Sequence, residues 1–354
     1  MNDNVSSFNT SMFHNYTQNP VDSSIERSSL RVWFAIFLAL SLIGILTNGL
    51  LFLVIIRSRT LRSGAGVLIL HVITNCFITC AIHNPIHGIL IYGDNVWFAR
   101  PRNICKYVHF LLGLTQFANN WAEASLAVNR LVAIVFPFAY KAWSTRKVTL
   151  GMIVMCWLIA IACYMPYVLE VSGKFIVTKE GQCTVQVVGS VGVFLTFLAV
   201  YGPYGLVGLI IAVVFLFMYL RVCCLSQRPS GIVNPQQARQ DVIYRRRLSV
   251  TKMLFISFLF DVMCMMPQAI FLTSFPRIYM EGPLLRLWLR TCLALQYPVT
   301  PVILFVCNDD YQSHLWRWQS SLRRHLWPDR SSNRVTPKNP THSVVSSLQV
   351  DVEL

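Results

Sequence analysis

Charge is what this sequence has least of: 13% of its 354 residues are Asp, Glu, Lys or Arg, about half the share of an ordinary soluble domain. The shortage is lopsided, with 15 acids against 30 Lys and Arg and a formal charge of +15. Cysteine is sparse as well, 11 in all, too few for a small disulfide scaffold. The composition likewise excludes a disordered chain and a collagen. No internal repeat is evident, and no period-two alternation marks barrel strands. What fills the chain is apolar: 55% hydrophobic residues and a mean hydropathy of +0.52. A basic balance alone would suit nucleic acid. Here the charges sit between long apolar runs, which selects a bilayer instead.

Crossing a hydrocarbon core takes about 20 apolar residues in a helix. Segments 32–56, 66–92, 104–136, 148–169, 189–220, 248–274 and 284–307 meet that length. The expected architecture is all-α: an N-terminal tail over 1–31 and a seven-transmembrane helix bundle over 32–307. An amphipathic juxtamembrane helix over 308–327 and a disordered cytoplasmic tail over 328–354 follow. Sequons at Asn4, Asn9 and Asn15 predict a glycosylated, extracellular tail. The first apolar run starts late and is long enough to remain as a span, so no cleavable signal peptide is expected. With seven crossings, Arg57, Arg59, Arg62, Lys141, Arg146, Lys147 and Arg245 to Arg247 fall in cytoplasmic loops, as the positive-inside tendency requires. Arg100, Arg102, Lys174, Lys179 and Arg277 run against it. Tyr311, Leu315, Trp318, Leu322 and Leu326 recur at three- and four-residue spacing, the pattern of a helix lying on the inner leaflet.

The third segment opens at Cys105 and closes with Asn129-Arg130-Leu131-Val132-Ala133-Ile134-Val135-Phe136-Pro137-Phe138-Ala139-Tyr140. This string resembles the rhodopsin-like (class A) G-protein-coupled receptors, whose third helix ends in Asp-Arg-Tyr followed by Ala-Ile and Pro-Leu-x-Tyr. Asn in place of the acid is similar to a variant seen in melatonin receptors and several invertebrate orphan receptors. About 25 residues separate Cys105 from Arg130, roughly 37 Å of helix, which puts one at each face of the membrane. Asn48, Asn75, Trp97, Trp157, Pro166, Pro203 and Cys264 with Pro267 follow in the family's order. Thr300-Pro301-Val302-Ile303-Leu304 stands for Asn-Pro-x-x-Tyr, and Tyr311 for the aromatic that opens the surface helix. The resemblance covers about residues 32–326.

The resemblance implies a plasma-membrane receptor that transduces an extracellular ligand signal to heterotrimeric G proteins, with no catalytic residue, metal or cofactor. It places Asn129, Arg130, Leu131 and Arg247 at the coupling end, and Met265, Pro267, Thr300, Pro301 and Leu304 at switch or kink positions. Cys105 and Cys183 both face an oxidising compartment and are expected to form a disulfide, two free thiols being the alternative. Asn129 lacks the acid beside Arg130, and Arg247 stands where many receptors place a second acid. The usual inner salt bridge is therefore not expected, and basal opening should be easier. Ile211, Leu304 and Met265 replace two bridging tyrosines and the aromatic toggle, which leaves a weakly coupling or decoy receptor open. A transporter is the remaining class, without the paired broken helices it usually shows. Ser249, following Arg245-Arg246-Arg247-Leu248, fits a phosphorylation site. The tail's Ser and Thr residues suit receptor kinase and arrestin, and Leu354 a PDZ protein.

Glu123 and Asp261 lie deep inside spans, where ionisable groups are costly. On the family's packing Glu123 faces His71 and Ser257, while Asp261 faces Asn120 and Pro203. With Asn75 and Asn119 they make a polar network in layers that are usually apolar. The acids act either as a proton switch or as neutral, hydrogen-bonded groups. Asn75, Asn119 and Thr300 are neutral and do not suit sodium. In the outer half, Leu112 takes the place of an amine receptor's acid, and segment 284–307 has no Lys for retinal. His83, His87, His109, Arg286 and Arg290 form a cationic rim expected to favour an acidic ligand or a peptide carboxylate. Snorkelling to headgroups is the alternative for the two arginines.

Overall fold

The computed structural model describes residues 27–62, 64–96, 102–177, 183–226 and 235–326. Helix α1 spans Arg27–Arg57. Helix α2 runs through Ala65–Ile78, a π-helical turn Thr79–His83 and Asn84–Val96. Helices α3 (Arg102–Val135) and α4 (Arg146–Val168) follow, then an antiparallel hairpin of β1 (Gly173–Val177) and β2 (Cys183–Val187) with Val177 opposite Cys183. Helix α5 repeats the α2 plan: Gly189–Thr196, a π-helical turn Phe197–Tyr201 and Gly202–Ser226. Helix α6 spans Pro235–Ser274, beginning well before residue 248 where the apolar run starts. Helix α7 consists of Pro283–Ala294 and Gln296–Val306, and α8 is Asp309–Leu326.

Helices α1, α2, α4, α5 and α7 are long and apolar enough to cross a membrane, and α6 carries a shorter apolar stretch, Phe255–Phe271. Helix α3 is 34 residues long but is not among the five, because Gln116, Asn119, Asn120 and Glu123 occupy its middle. The bundle is inverted relative to a water-soluble one. Leu46, Phe194, Leu209 and Phe215 are exposed on its outside, whereas Asn48, Asn75, Asn119 and Asn129 are at most 1% exposed. That distribution suits hydrocarbon as the solvent, where polar groups must find partners inside the protein.

Prolines shape the bundle by removing backbone donors. Each π-helical turn ends two residues before a proline, Pro85 in α2 and Pro203 in α5. A proline ring clashes with the carbonyl four residues back, and widening the preceding turn relieves the clash. In α7, Pro298 cannot donate to Ala294, and the helix is interrupted at Leu295. Pro301 likewise leaves the Tyr297 carbonyl without its helical donor. Asn48 supplies the replacement: its Nδ2 donates to the Tyr297 carbonyl at 3.0 Å and to the Gly44 carbonyl at 2.8 Å. Thr47 Oγ1 adds a donor to the Pro298 carbonyl at 3.1 Å, tying α1 to the same stretch of α7. Asn48→Leu should lower stability by about 1–3 kcal/mol, since it strands a buried carbonyl, and thermal unfolding of the solubilised protein measures it. An unchanged midpoint would mean that the Tyr297 carbonyl has another donor.

Candidate functional site

A cavity of about 350 Å³ opens among α2, α3, α5, α6, α7 and the hairpin. Helix α3 presents His109, Leu112, Gln116 and Asn120 to it, a helical stripe of three- and four-residue steps. The two π-helical turns contribute Thr79 and His83 on one side and Val200 and Tyr201 on the other. The irregularities required by Pro85 and Pro203 thus aim side chains into one space. Strand β2 adds Thr184, Val185 and Val187.

Of the expected ligand residues, His83, His87, His109, Leu112 and Arg290 line this cavity, as does Met265. Arg286 does not. It lies one helical turn closer to the start of α7, with its guanidinium 6.0 Å from the Tyr279 ring centroid. The expected cationic rim is narrower than the residue types suggested. His83 approaches Thr115 Oγ1 at 3.1 Å, and His109 Nδ1 contacts the Tyr164 hydroxyl, which also donates to the His109 carbonyl at 3.0 Å. Among the described lining residues, Arg290 alone carries a permanent charge. Tyr164, Tyr201, Tyr204, Tyr297, Gln116 and Gln268 also line the cavity and were not anticipated. The prolines were the signal available in the sequence, since each marks where a helix must open.

A polar layer lies deeper in the bundle. Asn119 Nδ2 donates to Glu123 Oε1 at 2.8 Å, and Cys76 Sγ to Asn119 Oδ1 at 3.8 Å. Thr300 Oγ1 donates to Asp261 Oδ1 at 3.4 Å. Glu123 and Asp261 are electrostatic neighbours. Tyr204 and Tyr297, from the cavity, lie within reach of that field. The hydrogen bonds differ from those expected at His71. Its Nε2 accepts from Trp157 Nε1 at 3.0 Å and lies 3.4 Å from Asn75 Nδ2, so it also closes the α2–α4 seam. A buried indole N–H requires such an acceptor. Asn120 and Ser257 are also buried.

At the opposite end, Asn129 is fully buried and its Oδ1 accepts from the Tyr140 hydroxyl at 3.4 Å. Leu131 and Ile211 pack on an α3–α5 apolar cluster. Leu304, 2% exposed, is set in a second cluster with Leu68, Leu126, Met253 and Tyr311. Burial pushes the Tyr311 phenol up to about 12, opposed by the nearby Arg130 guanidinium, so it stays neutral. His314 of α8 reaches Ser58 at 3.4 Å, and Arg57 lies over the Trp318 ring at 5.6 Å. Pro267 and Pro301 lie within the helical spans of α6 and α7. Cys183 heads β2 and is buried. The side chains of Cys105, Arg247 and Ser249 lie outside the described residues, as do Asn4, Asn9, Asn15, Trp97 and the tail to Leu354. Among the described residues, no three His, Cys, Asp or Glu come together as a metal site.

The family model described as "7 transmembrane receptor (rhodopsin family)" matches residues 47–307. The chain is 29% identical to galanin receptor type 2 of Mus musculus over 133 residues, 37% of this chain and 35% of that receptor. It is 26% identical to the substance-K receptor of Bos taurus over 160 residues, 44% of this chain and 39% of that one. The chain therefore matches little more than a third of these relatives' own length. Squid rhodopsin superposes with a TM-score of 0.71 over 89% of this chain and 94% of its own, at 13% identity, a likeness of fold.

Proposed function

The chain belongs to the rhodopsin family of seven-transmembrane receptors, multi-pass membrane proteins that are not enzymes, and on that premise we propose that it senses an extracellular peptide through the cavity beneath the hairpin. In this reading the N-terminus is extracellular and glycosylated at Asn4, Asn9 and Asn15. Cys105 and Cys183 form a disulfide that ties the hairpin to α3, and Arg130 faces a heterotrimeric G protein in the cytosol. The observation that carries it is the cavity itself, open under the hairpin and lined by residues of α3, α5, α6 and α7. The peptide preference rests on the galanin and substance-K receptors among its relatives. Receptor kinase, arrestin and a PDZ protein at Leu354 are further partners in this reading, with Ser249 as a phosphorylation site.

Signalling is a shift between closed and open bundles. Asn129 gives Arg130 no charged neighbour on its own turn, and its amide is held by Tyr140. Basal guanine-nucleotide exchange on a co-expressed G protein should therefore exceed that of empty membranes. Asn129→Asp adds a charge-assisted contact worth about 1 kcal/mol and should lower that basal rate about fivefold. Exchange indistinguishable from empty membranes, before and after a peptide panel, would reject coupling. A specific observation favours one rival: Leu304 plugs the Arg130 end among aliphatic side chains. A receptor that internalises with ligand but drives no exchange would make that plug decisive.

A further inference from the structure

Arg290 stands in the cavity wall without a counter-ion. Among the described residues its electrostatic neighbours are His109, Tyr164, Cys183, Tyr279 and Tyr297, none of them a carboxylate. Among the described residues, no Asp or Glu lines the cavity. The Lys106–Glu170 pair, at 3.8 Å, takes up a carboxylate elsewhere on α3 and the loop after α4. A guanidinium keeps its charge, and beside rings such as Tyr164 and Tyr297 its field is weakly screened. Because it lines the cavity within the bundle, snorkelling to headgroups does not account for it. An uncompensated charge in such surroundings is unfavourable, so the wall is chemically incomplete without an anion.

A second observation comes from α6. Gln268 lines the same cavity, and its Oε1 is buried with no hydrogen-bond donor. An unmet acceptor asks for an N–H. A planar cationic fork and a carbonyl acceptor in one aromatic-walled space complement a carboxylate carried close to an amide.

Building on the reading of this cavity as the ligand site, we propose that the ligand binds with a carboxylate on Arg290 and a neighbouring N–H on Gln268. Its aromatic or aliphatic body lies against Phe117 and Tyr204. A cationic amine is excluded, because Leu112 and the rest of the lining offer it no acid. The carboxylate is either a peptide's C-terminus or an acidic side chain, which present the same chemistry to Arg290.

Three probes separate these sources: N-acetyl-phenylalanine, its primary amide, and N-acetyl-aspartyl-phenylalanine amide, each added at millimolar concentration to the full-length receptor in nanodiscs. The free acid should raise the thermal midpoint by about 3 °C, and the simple amide by much less. A larger rise with the aspartyl probe than with the free acid assigns the carboxylate to a side chain; a larger rise with the free acid assigns it to the C-terminus, and equal rises mean that Arg290 takes either. Arg290→Gln should erase the difference between acid and amide, and Arg290→Lys should keep a reduced one. If acid and amide stabilise the wild type equally and Phe117→Ala abolishes both shifts, the cavity is a ligand site but recognition by charge is wrong. If no probe shifts the midpoint, both the proposal and the cavity reading fall. The acid–amide comparison in the wild type stands even if an Arg290 variant does not fold.

Discussion

Gly113→Ala should lower the thermal midpoint of the solubilised receptor by roughly 6–12 °C, from about 3 kcal/mol of overpacking at a few degrees per kcal/mol. A Cβ built on Gly113 would fall inside contact distance of Tyr164 Cε2, Cζ and Oη, so the ring would have to move. Its packed neighbours resist that movement, and any shift would push the ring into the cavity it lines. Tyr164 is 2% exposed and packs edge-on against Phe117 at 5.3 Å and Tyr167 at 5.8 Å. Its hydroxyl is held by His109. Gly205→Ala is the internal control, since an added Cβ there meets nothing within 4 Å. Its midpoint should stay within about a degree of wild type, as exposed substitutions generally do. Equal midpoints for the two variants would mean that the α3–α4 contact is looser than described. Because Tyr164 also lines the cavity, Gly113→Ala should weaken ligand binding in whatever fraction remains folded.

The second large effect is expected at Trp33, the bulkiest side chain among those fully buried, at 1% exposure. Its Nε1 donates to Thr291 Oγ1 at 3.0 Å, and its ring stacks on Phe37 at 5.2 Å. Together with Leu30, Ile91, Leu287 and Ala294 it closes the α1–α2–α7 corner. Trp33→Ala should cost about 3–5 kcal/mol, the range for emptying a large aromatic site. Trp33→Phe keeps most of the packing and should cost about 1 kcal/mol for the lost hydrogen bond. Chemical unfolding of both variants tests the division. If phenylalanine proved as damaging as alanine, the bond to Thr291 rather than the packing would hold the corner.

The bundle was legible for a one-dimensional reason. Bilayer thickness dictates run length, and the order of Asn48, Arg130, Trp157, Pro203, Pro267 and Pro301 along those runs is a property of the chain alone. The cavity was legible only in part, because lining it depends on how each helix is rotated about its axis. Depth matters as much: Arg290 lines the cavity, whereas Arg286, on the same face one turn nearer the start of α7, lies beside Tyr279 outside it. His71 bonds Trp157 across the α2–α4 seam, a contact that was not among those expected for it. Nothing in the residue types distinguishes those outcomes.

Composition and motif order were enough to establish a helical membrane receptor, with Arg130 at one end of α3 and Cys105 at the other. Hydrocarbon tolerates no unpaired backbone, and that constraint acts on any chain of this composition before its helices meet. Which carbonyl Asn48 rescues, which tyrosines wall the cavity and why Arg290 lacks an acid emerged when the helices packed. Those features arise from contacts between residues 30 to 250 positions apart, where proline-induced π-helical turns and close approaches such as Gly113 on Tyr164 set rotation and spacing.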